Sequence, residues 1–501
     1  MKGISLALFA ALLVAFGADA ADLKVTGGII RSETLADGSA IYRAIPYAAP
    51  PMGDLRWKPP APVISWRGVR DGVNAPTPCM QLNETWNAAQ AALGREDCLY
   101  LSIHAPKHKG GDKLPVLFWI HGGSNRAGSG YGIVDSPIYK RGIVVVGIEY
   151  RLGVFGFLAS PELSAESPHH VSGSFALLDQ MAALKWVRDN IAAFGGDPAN
   201  VTIIGQSAGG VDIGQLMRSP LARGLFAKAI QESGMIGAPR SEAQNEKIGS
   251  ALLEVMGLPA GPLGLAALRK APPSLLMAQA LKLRSPQGDS DSLWLGDTAD
   301  GWILPGNNNN VYLNGDQAPV PLIIGDNTQE FITPREAARG IIAGVYGKNA
   351  EQALRLYGFR DDRPAPDDPL VGNAATQVVD DLIFRCPANQ IAGWQVAQGQ
   401  KAFRYQFGVP RPGLDHVEHN AELDYVFRAP PMGVSFGAWP PLQQYWTNFM
   451  KTGDPNGPGL PVWPEVGNGK TYMAFTLKGP ELGKDLRGTV CRLMADTVAH
   501  P

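Results

Sequence analysis

Short runs of apolar and β-branched residues recur along the chain, and their length is that of buried β-strands. Four are clear, each bounded by a polar residue, glycine or proline: "LPVLFWI" at 114–120, "IVVVGI" at 143–148, "VTII" at 201–204 and "VPLII" at 320–324. Such short runs are typical of strands that are covered on both faces of a sheet.

A helical pattern lies between the second and third runs. In "FALLDQMAALKWVRDNIAAFGG" (175–196) the large apolar residues recur at the spacing of one helix face, and the pattern stops at Gly195 and Gly196. They are Leu177, Met181, Leu184, Trp186, Val187 and Ile191. Strands that alternate with helices predict an α/β fold, with helices covering both faces of the sheet.

The chain shows no linker, so we expect residues 21–501 to form one domain with long insertions. The segment 242–288 has a helical pattern, and we expect it to form part of a cap over the functional site. Composition agrees with a large core, since 45% of the residues are hydrophobic and 18% are charged. The net charge of −2 comes without a dense Lys/Arg cluster, which argues against nucleic acid or an anionic membrane as partner.

The N-terminus has the pattern of a secretory signal peptide. Lys2 precedes an apolar run at 4–16, and Ala18-Asp19-Ala20 follows as an A-x-A cleavage site. A membrane anchor is the alternative, but the run falls short of the roughly 20 residues that span a bilayer. We expect cleavage after Ala20 and a soluble mature protein that is secreted or periplasmic.

Because an exported protein reaches an oxidising compartment, we expect the four cysteines to form disulfides. They are Cys79, Cys98, Cys386 and Cys491. An even number in an oxidising compartment predicts two bonds, for which three pairings exist; local pairing, first with second and third with fourth, is the simplest. Four free thiols are the alternative. No C-x-x-C pair occurs, which argues against a zinc knuckle or a redox motif.

Ser207 lies in "GQSAG", a G-x-S-x-G motif that follows the run at 201–204. In a nucleophile elbow, a serine between strand and helix adopts a strained backbone, and the flanking glycines allow strand and helix to approach. The alternative is an ordinary glycine-rich turn. The strand before the motif and the residues able to begin a helix after it favour a nucleophile.

The glycine-rich segment "HGGSNRAGSG" follows the strand predicted at 114–120. Backbone N–H groups of such a loop can stabilise an oxyanion, and we expect Gly123 and Ser124 to supply two, with Ala208 as the third donor. A phosphate-binding loop is the alternative, but neither a following Lys-Ser/Thr nor a complete G-x-G-x-x-G pattern occurs.

The general base must be one of eight histidines. In α/β-hydrolases the chain order is nucleophile, acid, histidine, which leaves His416, His419 and His500. His500 is the penultimate residue, where chain ends fray. The choice between His416 and His419 stays open on this pattern alone.

The chain resembles the type-B carboxylesterases, which include cholinesterases and the non-catalytic neuroligins. The resemblance covers nearly the whole chain after the leader, in matching order and spacing. It rests on "YRAIPYAAPPMGDLRWKPPAP" (42–62), "EDCLYLSI" (96–103), "FGGDPANVTIIGQSAGG" (194–210), "TADGWILP" (298–305) and "VPLIIGDNTQEF" (320–331).

The resemblance implies an α/β-hydrolase fold and a Ser-His-Glu triad. Ser207 matches the nucleophile, Glu330 the acid, and His419 the base, since the family's histidine is followed three residues later by Glu and then by an apolar-rich segment. His416 lacks that glutamate. The family's first and last disulfides correspond to Cys79–Cys98 and Cys386–Cys491.

Two residues depart from the family pattern. Gln206 stands where most members have Glu, which removes a negative charge and disfavours a cationic choline ester. Ser124 stands where many members have a third glycine. His416 and His419 form H-x-x-H, but two histidines without a third ligand are weak evidence for metal, and we expect neither metal nor cofactor. Glu96 and Asp97 look like a catalytic acid pair, but their place beside Cys98 and their family counterpart indicate a structural ion pair instead.

The expected activity is hydrolysis of uncharged alkyl or aryl carboxylic esters through an acyl-enzyme. A binding protein on the same fold, as in the neuroligins, is the alternative from another class, although neuroligins lack the serine that this chain retains. Amides, lactones and polyesters stay open as substrates of the same site. The sequence does not define the oligomeric state.

Overall fold

The computed structural model describes residues 22–499 apart from 235–238, 284–295, 307, 360–366, 369, 432–433 and 468–469. The predicted signal peptide, residue 500 and the last part of the predicted cap segment, 284–288, lie outside the described residues. Within the described ranges, no helix is long and apolar enough to cross a membrane.

The described strands are numbered in chain order. They are β1 Asp22–Val25, β2 Gly28–Arg31, β3 Glu33–Thr34, β4 Ala40–Pro46, β5 Val69–Asp71, β6 Tyr100–Ala105, β7 Leu114–Ile120, β8 Val144–Ile148, β9 Gly196–Gln206, β10 Lys228–Glu232, β11 Arg240–Ser241, β12 Thr298–Ala299, β13 Leu322–Asn327, β14 Ala402–Phe407, β15 Thr471–Thr476 and β16 Gly479–Lys484.

The described α-helices are numbered in the same way. They are α1 Ala88–Leu93, α2 Gly153–Phe157, α3 Pro161–Glu166, α4 Phe175–Asn190, α5 Ala208–Arg218, α6 Glu242–Val255, α7 Pro262–Lys270, α8 Pro273–Ala280, α9 Asn308–Asn314, α10 Ala338–Tyr346, α11 Ala350–Leu356, α12 Ala374–Asp380, α13 Cys386–Ala397, α14 Leu423–Phe427, α15 Leu442–Thr452 and α16 Gly488–Ala499.

One eleven-stranded sheet organises the fold, in the order β16-β15-β14-β13-β10-β9-β7-β8-β6-β4-β3. The seven strands from β15 to β8 are parallel, and antiparallel pairings occur towards both edges. Parallel strands end at the same edge of a sheet, so β7, β9 and β13 deliver the residues that follow them to one place.

The sheet separates two hydrophobic cores, and side chains alternate between them along each strand. On β7, Val116, Phe118 and Ile120 belong to the larger core, whereas Leu117 and Trp119 belong to the second core. Helix α4 packs in the larger core and α15 in the second. The α/β class expected from the pattern is therefore confirmed, with both faces of the sheet covered.

The four predicted strands all form, with differences at their ends. β7 has the predicted bounds, β8 begins one residue late, and β13 begins two residues late and continues for three residues. β9 is longer than its apolar run because it begins at Gly196. The predicted helix ends as α4 at Asn190 and continues as a 3-10 turn to Phe194, where Gly195 adopts a φ of 76°.

The predicted cap segment is helical in its described part and contains α6, α7 and α8. These helices pack on one another and on α2, α3 and the turn Gly53–Leu55. Arg56, next to that turn, donates hydrogen bonds to the carbonyl oxygens that end α7, at Leu268 and Arg269. The same arginine forms a two-point ion pair with Glu96, which confirms the structural interpretation of that glutamate.

Candidate active site

Ser207 occupies a sharp turn between β9 and α5. Its φ of 57° and ψ of −124° lie far from strand or helix values, which is the strained backbone of a nucleophile elbow. Two glycines make the turn possible. A Cβ on Gly205 would lie 2.4 Å from the Gly209 carbonyl oxygen, and one on Gly209 would lie 2.1 Å from the Ile120 carbonyl oxygen. The spacing of G-x-S-x-G therefore follows from backbone contacts around the serine.

His419 and Glu330 are in direct contact. The Nδ1 atom of His419 lies 2.6 Å from Oε2 of Glu330. Glu330 is only 4% exposed and comes three residues after β13. Its Oε1 atom accepts hydrogen bonds from the Asn327 backbone N–H at 2.7 Å and from the Ser233 hydroxyl at 2.8 Å. The carboxylate is fixed from two sides and orients the imidazole.

The surroundings of His419 favour the charged imidazole. Burial alone would lower the pKa of His419, but the charge of Glu330 and its hydrogen bond outweigh burial and raise that pKa above its ordinary value. Stabilising a positive charge on a buried histidine is what a general base needs when it takes a proton. His416, by contrast, is paired with exposed Asp415 at 2.9 Å.

Gln206 brings His419 to the elbow. Its Nε2 atom lies 3.2 Å from Nε2 of His419. If Nδ1–H is donated to Glu330, Nε2 is the acceptor of the neutral ring and receives the Gln206 amide N–H. The histidine thus directs its second nitrogen at the residue next to Ser207. Sequence reasoning identified Gln206 by its missing charge but did not foresee this contact.

The glycine-rich loop, residues 122–128, follows β7 and contains three successive residues with positive φ. The values are 100° at Gly123, 57° at Ser124 and 55° at Asn125. Gly123 cannot carry a side chain, since a Cβ there would lie 2.0 Å from the Ala127 carbonyl oxygen. Ser124 is exposed, whereas Ala208 is buried as the first residue of α5.

Buried acids surround the acid–histidine pair, and sequence reasoning did not assign them roles. The Asn327 side-chain amide donates to Oε2 of Glu422 at 2.7 Å and lies 3.4 Å from Oε2 of Glu330. Burial, with the Glu330 charge adding to it, raises the pKa of Glu422 to about 7. Glu422 is the glutamate three residues after His419 that marked the family pattern; its protonation depends on burial, which the sequence does not display.

Two further buried acids lie near by. Glu232, at the end of β10, accepts the Ser207 backbone N–H at 3.0 Å through its carbonyl oxygen, and its carboxylate accepts the Trp446 indole N–H at 2.8 Å. Asp380 accepts the backbone N–H of Glu330 at 3.0 Å. No local sequence signal could have identified either, because each acts through residues distant in the chain.

Exposed aromatic rings lie close to His419 and to Gly123 of the glycine-rich loop. The ring of Phe331, 47% exposed, lies 4.4 Å from the His419 ring between centroids. Trp86, 64% exposed, approaches Gly123 so closely that a Cβ on that glycine would lie 3.3 Å from its Cη2 atom. One exposed aromatic ring therefore lies beside the acid–histidine pair and another beside the glycine-rich loop.

The cysteines pair as expected. Cys79 is bonded to Cys98 and Cys386 to Cys491, with Cα–Cα distances of 4.9 and 5.2 Å. The loop closed by the first bond reaches the glycine-rich loop, because the Gln81 side chain exchanges hydrogen bonds of 2.9 Å with both backbone groups of Gly128. Among the residues the structure describes, no group of three or more His, Cys, Asp or Glu could hold a metal ion.

Comparison with known proteins gives consistent matches. The sequence model of the carboxylesterase family matches residues 22–494. The fumonisin B1 esterase of Sphingopyxis macrogoltabida is 33% identical over 464 residues, 87% of this chain and 83% of the relative. The cocaine esterase of Homo sapiens is 32% identical over 514 residues, 93% of this chain and 88% of the relative. A solved PNB esterase has a TM-score of 0.79 and 29% identity, covering 94% of this chain and 99% of its own.

Proposed function

The chain belongs to the carboxylesterase family and has its α/β-hydrolase fold, and from this premise we propose that it hydrolyses carboxylic esters with Ser207 as nucleophile, His419 as base and Glu330 as acid. The observation that carries the proposal is the contact of His419 with Glu330 on one side and with the elbow residue Gln206 on the other. Carboxylic-ester hydrolysis itself is the activity common to the matched relatives.

The reaction proceeds in two halves through an acyl-enzyme. His419 takes the proton of the Ser207 hydroxyl as its oxygen attacks the ester carbonyl, and the carbonyl π electrons move onto the oxygen. When the tetrahedral intermediate collapses, the C–O bond to the alcohol breaks and His419 donates its proton to the leaving oxygen. Water then attacks the acyl-enzyme with His419 again as base, which releases the acid and restores Ser207. Glu330 stabilises the imidazolium throughout.

The oxyanion is held by backbone N–H groups. We assign Gly123 and Ser124 of the glycine-rich loop, together with Ala208 at the start of α5, as the three donors. Their support is positional, because the loop follows β7 and α5 follows the neighbouring β9, so both reach the same edge of the sheet. Donors fixed before the reaction stabilise developing charge without reorganisation.

The proposed substrates are uncharged alkyl or aryl esters. Gln206 is neutral where it faces the site, so no charge on that side chain favours a cationic alcohol group. Phe331 and Trp86 offer apolar aromatic surface at the site. Two matched relatives are named as esterases of fumonisin B1 and of cocaine, which supports ester hydrolysis as the reaction.

Export and one-domain organisation complete the proposal. Cleavage after Ala20 would release residues 21–501 as one α/β-hydrolase domain, secreted or periplasmic. The two disulfides support an oxidising destination, since such bonds persist outside the cytosol.

The experiment that tests the triad is the variant Ser207→Ala. We expect it to lower kcat on a p-nitrophenyl ester by about 10⁶ while the circular dichroism spectrum and melting temperature stay those of the wild type. Ser164→Ala is the matched control, because it removes a buried hydroxyl that is paired with the Ser172 hydroxyl at 2.9 Å instead of with a triad residue, and it should retain turnover. Cleavage by folded Ser207→Ala at the wild-type rate would refute the nucleophile assignment.

A further inference from the structure

The glycine-rich loop is strained and needs external support. Ser124 and Asn125 both have φ near 55°, and Gly123 before them has φ of 100°. Residues other than glycine hold such values only where surrounding contacts impose them. Ser124 is exposed and offers no anchor of its own, whereas Asn125 is buried. Of the two non-glycine residues with positive φ, Asn125 is therefore the one that buried contacts can hold, while Gln81 supports the loop at Gly128.

Asn125 is held by three buried contacts. Its side-chain amide donates to Oδ1 of Asp212 at 3.0 Å. Its side-chain oxygen accepts the Tyr150 hydroxyl at 3.1 Å, and its backbone oxygen accepts the N–H of Gly153, the first residue of α2, at 2.7 Å. The single proton of the Tyr150 hydroxyl is shared between the Asn125 side-chain oxygen and the backbone oxygen of His121, just before the loop, which lies closer at 2.7 Å. These contacts fix both the side chain and the backbone of Asn125.

Asp212 belongs to the helix that follows the elbow. It lies in α5, five residues after Ser207, and is completely buried. Besides Asn125, it accepts the Gln180 side-chain amide from α4 at 2.6 Å. One helix therefore carries the elbow at its first turn and, on its second, the carboxylate that grips the loop.

We propose that Asn125 and Asp212 form a clamp that positions the glycine-rich loop against α5 for catalysis. The inference rests on the proposed function, because it assigns these residues to the oxyanion hole of that reaction. Neither residue touches substrate; each acts through the backbone between β7 and α2. Asp212 lies on α5, the helix that begins at the elbow. The clamp therefore holds the loop's N–H groups at a fixed position relative to Ser207 and to the N–H of Ala208.

If the clamp is loosened, we expect weaker stabilisation of the transition state, whereas binding of the substrate should change little. Removing one oxyanion-hole donor costs about 10²–10³ in kcat, so loosening two donors without deleting them should cost roughly 10–100-fold. The change should appear in kcat and in the affinity for a tetrahedral adduct, with little effect on KM, because the ground-state ester carbonyl bears little charge.

The test compares three variants of the full mature chain. Asn125→Gly removes both side-chain contacts and still permits the positive φ. Asn190→Ala is the matched control, since Asn190 is also a buried asparagine, but its side chain bonds Thr26 and the Trp186 carbonyl oxygen and does not touch the loop or Asp212. Asp212→Asn keeps the side-chain shape but leaves one oxygen to accept from the two amide donors, Asn125 and Gln180. Each is titrated with a fluorophosphonate so that kcat refers to active sites, and each is measured for KM and for inhibition by an aryl trifluoromethyl ketone.

We expect Asn125→Gly to lower kcat per titrated site by roughly 10–100-fold, to raise the ketone Ki by the same factor and to leave KM within about threefold. Asn190→Ala should keep kcat and Ki near wild type even where its melting temperature falls. The clamp is refuted if Asn125→Gly keeps its kcat per site, or if Asn190→Ala loses as much. Should Asn125→Gly not fold, Asp212→Asn decides by the same readouts. A wild type without turnover or Ser207 labelling would instead refute the proposed function.

Discussion

The Nδ1 atom of His419 lies 2.6 Å from Oε2 of Glu330, although 89 residues separate them in the chain. The two approach because β13 delivers Glu330 to the carboxyl edge of the sheet and the segment after β14 returns to the same edge. With that nitrogen engaged, the other ring nitrogen points to the elbow. This single contact holds the ring orientation and raises the pKa of His419.

Glu330→Gln tests the contact directly. By analogy with other triads, loss of the carboxylate should lower kcat by about 10⁴. It should also move the acid limb of the kcat/KM–pH profile to lower pH, because without the Glu330 charge burial dominates and lowers the pKa of His419. Glu418→Gln removes a more exposed charge next to His419 in sequence and should change neither. An unshifted acid limb in Glu330→Gln would contradict the assigned role.

Gln206→Glu should make His419 harder to deprotonate. A carboxylate at this position would lie about as close to His419 Nε2 as the present amide, and a nearby negative charge favours the imidazolium. We expect the acid limb of the pH profile to move to higher pH and the preference for cationic over neutral esters to rise. Gln206→Met, which removes the hydrogen bond without adding charge, should give neither effect. Equal profiles for the Glu and Met variants would show that the charge is not felt at the site.

The two disulfides should differ in what their loss changes. Replacing Cys386 and Cys491 with serine opens a loop of sequence separation 105 and should destabilise by about 2–5 kcal/mol. Replacing Cys79 and Cys98 opens a separation of only 19, but that loop holds the glycine-rich loop through Gln81. We expect the second pair of substitutions to cost more kcat per titrated site and less stability. Denaturant midpoints and active-site-normalised kcat separate the two effects, and identical losses of kcat would contradict the expectation.

Glu422 should make stability fall as the pH rises. Its folded pKa of about 7 exceeds its ordinary value of 4.5, so between these values the folded state binds more protons than the unfolded state. The free energy of unfolding therefore decreases from about pH 4.5 to 7. Glu422→Gln lacks this contribution. Its free energy of unfolding, relative to that of the wild type, should therefore be higher at pH 8 than at pH 5 by at least about 1 kcal/mol. Denaturant unfolding at both pH values measures it; a pH-independent difference would show that Glu422 keeps an ordinary pKa when folded.

Features of the fold and of the candidate site could be predicted from the sequence where they depend on residues that are close together in the chain. β7 was predicted to the residue because an apolar run bounded by Lys113 and His121 is a local pattern. The elbow was predictable for the same reason, since Gly205 and Gly209 act through backbone contacts within a few residues. The start of β9 was missed because its first five residues carry no apolar run and the pairing with β7 is irregular between Gly196 and Val201.

The tertiary parts of the site were accessible only through resemblance, or not at all. The pairing of Glu330 with His419 has no local signature, and the histidine stayed ambiguous until the family pattern was considered. The Asn125–Asp212 contact joins residues 87 apart and matches no motif. Burial of Glu422 depends on the packing of α14 and α15 with the sheet, which periodicity alone does not specify.

The most direct test of the account is mass spectrometry of the purified, folded mature protein after incubation with a fluorophosphonate. The account predicts one adduct per chain, on the peptide that contains Ser207, and none in Ser207→Ala. Protein with both disulfides formed that gave no adduct, or an adduct on another serine, would contradict Ser207 as the activated nucleophile.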